Sequence, residues 1–247
     1  NAMKNADVII PLAALVGAPL CSLDPVGAST INHDAIELML KLLSKEQIVL
    51  MPTTNSAYGT GDKDNYCNES SPLRPISQYA IEKVEIEKKL MQHPNAISFR
   101  LATVFGMSPR MRIDLLVNDF TYRAVNDGFV VLFESHFKRN YIHVRDVSRV
   151  FQHALNNHNE MKGEIYNVGL SDANVSKKEL CEHIQKQLPE FIFIDEQIGK
   201  DPDQRNYIVS NEKIESTGFK TEFSLDRGIE ELIKGYQMIK NSLYGNV

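Results

Sequence analysis

The segment Ser77-Gln78-Tyr79-Ala80-Ile81-Glu82-Lys83 places a tyrosine four residues before a lysine. Upstream of it, the apolar run 48–51 reads as a buried strand that ends near Thr54. A helix over 79–90 would put the phenol and the ammonium on one face, one turn apart. An ammonium beside a phenol favours the phenolate and lowers its pKa from the ordinary value near 10. With a hydroxyl from the strand end, such a pair suits proton transfer at a substrate oxygen.

Tyr-x-x-x-Lys alone is also common in ordinary surface helices, so its meaning depends on the surrounding chain. Short runs that are apolar on both faces indicate buried parallel strands, and they cover 8–15, 48–51, 96–101 and 165–168. Apolar residues at helical spacing predict helices over 34–45, 115–125 and 229–239. Alternating strands and helices predict an α/β fold with a doubly wound parallel sheet.

Further segments resemble the extended short-chain dehydrogenase/reductases, which are sugar-nucleotide epimerases, dehydratases and reductases. Residues 6–14 resemble the family's fourth strand, with Pro11 where the signature has histidine, and Asn32 matches the asparagine of the next helix. The other matching segments, in the family's order, are 53–59, 100–106, 139–147, 166–169, and Asp203 with Arg205. The resemblance implies a Rossmann-like cofactor domain with a smaller α/β substrate lobe.

The resemblance also implies residue roles. Thr54, Tyr79 and Lys83 are expected to be catalytic, and Tyr79 and Lys83 also to contact NAD. NADP is not excluded. The remaining cofactor-contacting residues are expected to be Ala13, Ala14, Asn32, Thr53 and Ala102. Substrate is expected at Thr103, Arg112, Arg139 and Arg205, where the arginines hold the diphosphate of a nucleotide sugar. For Arg110 and Arg112, a solvated surface ion pair is an equal alternative.

The family's dinucleotide fingerprint is missing from the sequence. The thirteen glycines form no Gly-x-x-Gly-x-x-Gly, and the chain enters the family pattern at the fourth strand. The sheet is therefore expected to be truncated, whether by engineering, by a misassigned start or by natural loss. The implied division assigns 1–106 and 138–169 to an incomplete NAD-binding domain, and 107–137 and 170–247 to the substrate lobe. Strand 8–15 would then form an exposed apolar edge that favours a homodimer.

The residues after Thr54 narrow the reaction. The resembled dehydratases carry Asp-Glu there, whereas this chain has Asn55 and Ser56, neither of which is a general acid or base. Dehydration is disfavoured, and epimerisation or keto-sugar reduction of a nucleotide sugar, as in polysaccharide synthesis, is expected. The alternative is a non-catalytic remnant that keeps a sugar-nucleotide site but does not bind NAD.

Composition restricts the remaining classes. The chain has 247 residues, 43% of them hydrophobic, and a formal net charge of −5, which gives no reason to expect nucleic acid or an acidic membrane surface as a partner. Three widely spaced cysteines predict reduced thiols and a cytoplasmic location. His33, His136 and His183 show no ligand spacing with acidic residues, so no metal is expected. His143 is interpreted as a structural histidine at a strand end.

Overall fold

The computed structural model describes residues 2–60, 67–196 and 205–240. Asp203, which the family pattern pairs with Arg205, lies outside the described residues. The described strands are β1 (Val8–Ile9), β2 (Ile48–Thr54), β3 (Ala96–Leu101), β4 (Thr103–Phe105), β5 (Phe129–Phe133), β6 (Lys138–His143), β7 (Ile165–Val168), β8 (Asn174–Ser176) and β9 (Ile192–Glu196). The described α-helices are α1 (Ala18–Leu23), α2 (Pro25–Ser29), α3 (Ala35–Leu42), α4 (Gln78–Leu90), α5 (Leu116–Asn126), α6 (Val144–Asn156), α7 (His158–Met161), α8 (Lys177–Gln187), α9 (Glu212–Ser216) and α10 (Leu225–Lys240).

A four-stranded parallel sheet carries the first part of the fold, in the order β1-β2-β3-β7. Strands β2 and β3 are almost wholly buried, as their continuous apolar sequence predicts. The α/β class with a parallel sheet is therefore confirmed. Because β2 and β3 end side by side, Thr54 pairs with Leu101 at the carboxyl edge of the sheet.

The first strand is much shorter than predicted. It spans Val8–Ile9 alone, so the prediction of a strand over 8–15 is wrong beyond Ile9. Pro11 has no amide hydrogen to donate to a ladder. Farther along, the side chain of Asn32 takes up both backbone groups of Leu15. The segment after β1 is therefore a loop held by a side chain rather than a strand.

Two smaller sheets adjoin the first. Strands β4, β6 and β8 form a mixed sheet in that order, with β4 parallel and β8 antiparallel to β6. Strands β5 and β9 form a parallel pair. Helices α5, α8 and α10 enclose a separate apolar cluster that includes Phe120, Leu180 and Tyr236.

The apolar cluster on β3 also receives residues from late in the chain. Ile214 and Phe219 pack in the same cluster as Phe99 and Tyr166. The chain therefore returns to the parallel sheet after residue 170, and the division at 106, 138 and 169 stays a prediction.

Among the described residues, β1 is an edge strand of the four-stranded sheet, with β2 as its neighbour. Pairing of this edge with a second chain stays a prediction. No helix in the described ranges is both long enough and apolar enough to cross a lipid bilayer.

Candidate active site

Helix α4 places the predicted pair on one buried face. It begins after Ser77, whose hydroxyl accepts a hydrogen bond from the backbone N–H of Ala80 at 3.3 Å. Tyr79 is 8% exposed and Lys83 is 4% exposed. The Lys83 Nζ lies 6.0 Å from the centre of the Tyr79 ring. The predicted one-turn spacing is confirmed, and both side chains are largely buried.

Burial dominates the charge state of this pair. It raises the pKa of Tyr79 to about 12, with Cys21 acting in the same direction and with Arg205 and Arg112 opposing it. It lowers the pKa of Lys83 to about 8, against the upward pull of Cys21 and Glu82. The expectation that Lys83 brings the pKa of Tyr79 below 10 is therefore wrong in this structure. Desolvation of the phenolate outweighs the nearby positive charges.

The tyrosine hydroxyl and the lysine ammonium share a second property. Within the described ranges, neither group has a hydrogen-bond partner on the protein. Buried polar groups are nearly always hydrogen-bonded. Two largely buried side chains on one helix face whose polar atoms have no protein partner are typical of a site that binds a polar ligand.

Thr54 ends β2 beside this face, where α4 packs on β2 and on the turn that follows it. Its Oγ1 accepts from the backbone N–H of Ser56 at 3.1 Å and donates to Ser56 Oγ at 3.0 Å. Ser56 Oγ in turn accepts a hydrogen bond from Arg205 Nη1. The positive charge of Arg205 also lowers the pKa of Tyr79. Thr54, Arg205 and Tyr79 therefore lie in one region of the structure.

Arg112 belongs to the same region but is already engaged. Its guanidinium makes two hydrogen bonds to Asp114, at 2.8 and 2.7 Å, and one to the carbonyl of Val16 at 3.2 Å. The carboxylate of Asp114 raises the pKa of Arg112, and Tyr79 contributes in the same direction. The arginine thus links the loop after β1 to the segment that enters α5.

Arg139 and Thr103 lie on the adjoining sheet. Arg139 is 4% exposed on β6, and Thr103 begins β4 opposite Tyr141. Burial raises the pKa of Tyr141, and the positive charges of Arg139 and Arg205 oppose that rise. The two arginines, 66 positions apart in sequence, therefore both lower the pKa of the same buried tyrosine hydroxyl.

The loop after β1 carries the remaining cofactor candidates. Asn32 is fully buried in a π-helical turn, Thr30–Asp34. Its Oδ1 accepts from the N–H of Leu15 and its Nδ2 donates to the carbonyl of Leu15, each at 2.9 Å. Ala13 in this loop is exposed and Ala14 is half-buried. Ala102, between β3 and β4, donates its backbone N–H to the carbonyl of Val168 at 2.9 Å.

Thr53 directs its side chain to the protein interior. Its hydroxyl lies within 3.1 Å of Glu87 Oε2 and of Ser98 Oγ, and 3.2 Å from the carbonyl of Phe99. Its hydroxyl is therefore saturated by protein atoms, and only the backbone of this residue remains to contact a cofactor.

Thr53 joins a buried polar group that was not predicted from the sequence. The buried carboxylate of Glu87 accepts hydrogen bonds from Arg100 at 2.6–3.2 Å and from Ser98 at 2.8 Å. The signal was present, because Tyr79, Lys83 and Glu87 recur every four residues on one helix face. Cys21 and Glu82, the other groups that act on Lys83, carried no comparable signal in the sequence.

The prediction for His143 agrees with the structure, whereas the prediction for His33 does not. His143 is fully buried at the end of β6, and its ring stacks on Phe223 with ring centres 4.4 Å apart, as a structural histidine does. The statement that His33 has no acidic neighbours at ligand spacing is wrong, because ligand atoms of His33, Asp34 and Glu37 lie within 4.8 Å of one another. However, Lys89 Nζ is 3.3 Å from both His33 Nε2 and Glu37 Oε1, so a cation already serves these groups.

Fold and site together define a Rossmann-like protein in which the threonine at the end of β2 lies beside the helix that carries the tyrosine and the lysine. The model of the NAD dependent epimerase/dehydratase family matches residues 1–169. The chain belongs to that family.

Individual relatives are distant. The chain is 23% identical over 221 residues to an uncharacterized protein of Schizosaccharomyces pombe, and the match covers 74% of this chain and 60% of that protein. It is 24% identical over 197 residues to the dTDP-D-glucose 4,6-dehydratase of Mus musculus, covering 75% of this chain and 54% of the mouse protein. The chain thus spans little more than half the length of these curated relatives.

The fold resembles solved structures over nearly its whole length. One is the UDP-glucuronic acid 4-epimerase from Bacillus cereus in complex with UDP-glucuronic acid and NAD. That match has a TM-score of 0.82 and 19% sequence identity, and covers 96% of this chain and 77% of the epimerase.

Proposed function

We propose that this chain acts in the NAD-dependent epimerisation or keto-reduction of a nucleotide-diphosphate sugar. The observation that carries the proposal is the buried pair on α4. The Tyr79 hydroxyl and the Lys83 ammonium are both unpartnered within the described ranges, and Thr54 lies at the adjoining strand end. The family membership and the epimerase fold support the same conclusion.

The donor set fits the nicotinamide end of NAD. Lys83 and Tyr79 can donate to ribose hydroxyls. We assign Ala13 and Ala14, in the loop that Asn32 fixes, and Ala102 to the same cofactor site. NAD, when bound, supplies the acceptor and donor for the hydride that leaves or enters the sugar carbon. NADP fits these residues equally, so the choice between the two cofactors stays open.

Tyr79 handles the proton. With its pKa raised to about 12 by burial, the hydroxyl stays protonated at neutral pH and is ready to donate to a carbonyl oxygen during keto-sugar reduction. In the oxidative direction Tyr79 must first give up its own proton, and the resulting phenolate then takes the proton from the sugar hydroxyl. A positive charge on Lys83 stabilises the tyrosine oxygen when it is anionic. Thr54 hydrogen-bonds the reacting oxygen of the sugar.

The arginines supply the diphosphate site. Arg139 and Arg205 both lower the pKa of the buried Tyr141 hydroxyl. Arg112 is close enough to Tyr79 to lower its pKa. The planar guanidinium forks can each form two hydrogen bonds to a phosphate. Thr103, at the start of β4, then contacts the sugar. A homodimer and a cytoplasmic location complete the proposal.

Dehydration is disfavoured on the chemistry of the turn after Thr54. Asn55 is fully buried, and neither atom of its carboxamide has a hydrogen-bond partner within the described ranges. A carboxamide does not titrate, and Ser56 is held between Thr54 and Arg205. Neither side chain can act as the second acid and base that elimination of water needs.

A second candidate is a protein that binds a nucleotide sugar but not NAD. It is favoured by the sequence, in which no Gly-x-x-Gly-x-x-Gly turn is present to hold the pyrophosphate of a dinucleotide.

Incubation of the purified chain with NAD and, in turn, UDP-glucose, UDP-glucuronic acid and dTDP-glucose separates these functions. Proton NMR of the sugar should show a new epimer, or reduction of an added keto sugar with NADH. A 4-keto-6-deoxy product would instead establish dehydration. No turnover, with nucleotide-sugar binding that Arg139→Ala abolishes, would establish the second candidate.

A further inference from the structure

Ser56 joins two groups of the candidate site that come from distant parts of the chain. It follows β2 in a 3₁₀-helical turn, Asn55–Tyr58, and is 4% exposed. Its Oγ accepts a hydrogen bond from Thr54 Oγ1 at 3.0 Å and another from Arg205 Nη1. One serine oxygen thus contacts both the candidate catalytic threonine and a candidate diphosphate-binding arginine.

The segment that carries Arg205 is fixed against two elements of the site. Asn206 forms a β-bridge with Thr60, which lies just after the turn that follows β2. The Asn206 Oδ1 also accepts from the backbone N–H of Lys138 at 2.9 Å, and the Tyr207 N–H donates to the Lys138 carbonyl at 3.1 Å. The side chain of Arg205 therefore reaches from the start of β6 to the turn after β2.

The two hydroxyls of this turn can transmit the charge of Arg205. In the structure, Thr54 Oγ1 donates to Ser56 Oγ and accepts from the Ser56 N–H at 3.1 Å. A hydroxyl donates one hydrogen bond and accepts two. When both hydroxyls rotate, Ser56 donates to Thr54 and Thr54 donates to a sugar oxygen, while Arg205 still donates to Ser56. The three donors then form one chain that ends on the substrate.

We propose that Ser56 is a positioning residue that holds Arg205 at the diphosphate site and links its positive charge to Thr54. Hydrogen bonds in a chain polarise one another, so a hydroxyl donor in a chain that begins at a cation stabilises a developing oxygen anion more strongly. The sugar oxygen develops this charge as its proton leaves. The consequence for turnover rests on the proposed function, whereas the bridge itself is a property of the folded chain.

A double-mutant cycle of Ser56→Ala and Arg205→Ala tests the bridge through binding of UDP, a probe of the diphosphate site. In titration calorimetry, Ser56→Ala should weaken UDP binding about tenfold, because Arg205 loses the acceptor that holds it. In the Arg205→Ala background the same substitution should change little. Equal losses in both backgrounds would overturn the proposal. Ser216→Ala removes an exposed hydroxyl of α9 and, as the control, should bind UDP as wild type does.

Thermal unfolding of the same variants tests the bridge without any ligand. Each single substitution breaks the same hydrogen bond, so the double variant should melt close to the less stable single variant. Losses in melting temperature that add in full would contradict the bridge. Ser56→Thr keeps the acceptor oxygen and should melt closer to wild type than Ser56→Ala does. Equal losses in these two variants would show that the hydroxyl holds nothing in place.

Turnover separates the link to Thr54 from a purely structural role. In a chain that converts a nucleotide sugar, Ser56→Ala should raise KM, as Arg205→Ala does. It should also lower kcat on the order of tenfold, less than the about 10²–10³-fold that the loss of a direct donor costs. Ser56→Thr should restore kcat, and a Ser56→Ala variant with unchanged kcat would refute the link.

Failure of the proposed function gives a different result. A chain that neither binds UDP nor converts a sugar, but whose melting temperatures show the non-additive losses, would refute the proposed function and leave the bridge intact.

Discussion

The two halves of helix α4 use buried polar residues in opposite ways. In the second half, Glu87 has every oxygen engaged, by Arg100, Ser98 and Thr53. Arg100 continues that network to the Tyr58 hydroxyl at 3.0 Å, which donates to Asn167 at 2.7 Å. In the first half, Tyr79 and Lys83 are equally buried but have no hydrogen-bond partners within the described ranges.

The difference separates scaffold from site. A saturated buried network fixes the rotation of α4 against β2 and β3, because each hydrogen bond has one geometry that satisfies it. The pair on the same face keeps its hydrogen-bonding capacity available for a ligand. The hydrogen bonds of Glu87 therefore fix the positions of Tyr79 and Lys83. The unused hydrogen-bonding capacity of Tyr79 and Lys83 indicates that they bind a ligand.

The largest expected effect is on turnover in Tyr79→Phe. The substitution keeps the ring and its packing but removes the proton donor, so kcat should fall by about 10²–10⁴-fold. Because the hydroxyl has no protein partner, thermal unfolding should stay within a few degrees of wild type. Steady-state kinetics and calorimetry on the same preparation check both parts. A large loss of stability would show that the hydroxyl belongs to the scaffold.

Arg100→Leu should destabilise the fold by disrupting the buried network around Glu87. It leaves the Glu87 carboxylate buried without its cation, and losing one partner of a buried ion pair costs about 3–5 kcal/mol. Urea unfolding measures the loss, and Arg123→Leu on the exposed surface of α5 is a control. The account would fail if the two variants were equally stable.

The free energy of unfolding should depend on pH because of Lys83. Burial lowers the pKa of Lys83 to about 8, so between pH 8 and 10 the unfolded chain binds more protons than the folded chain. The free energy of unfolding should therefore gain about 2 kcal/mol from this residue over that range. Lys83→Met should remove the gain. A rise of the same size in Lys83→Met would assign it to other groups.

The smallest effect is expected at Glu85, which points to solvent from the same helix. Glu85→Gln should change the free energy of unfolding by no more than about 0.5 kcal/mol, as surface substitutions usually do. Urea unfolding beside Arg100→Leu makes the contrast within one experiment. A cost near that of Arg100→Leu would mean that burial does not distinguish the positions on α4.

The sequence predicted the elements whose signals are local. Strands β3 and β7 and helix α4 follow from apolar runs and helical spacing, and the pairing of Tyr79 with Lys83 follows from the period of the helix. The length of β1 was not predictable from its apolar run, since its end depends on Asn32 reaching back to Leu15 across 17 positions. Such contacts exist only in the folded chain.

The charge states of Tyr79 and Lys83 could not be predicted from the sequence for the same reason. The spacing of Tyr79 and Lys83 indicated that they interact, and a lower tyrosine pKa was expected from that alone. Depth of burial decides the outcome instead, and it is set by packing against α1 and β2. The Glu87–Arg100 pair likewise required knowing that β3 lies beside α4.

Calorimetric titration of the chain with NAD shows whether Tyr79 and Lys83 on α4 receive the nicotinamide end of the cofactor. Lys83→Ala removes a donor of the pair, and Lys89→Ala removes a half-exposed lysine from the same helix as the control. The account predicts NAD binding to wild type and to Lys89→Ala, and its loss in Lys83→Ala. Equal binding by all three, or none to wild type, would contradict it.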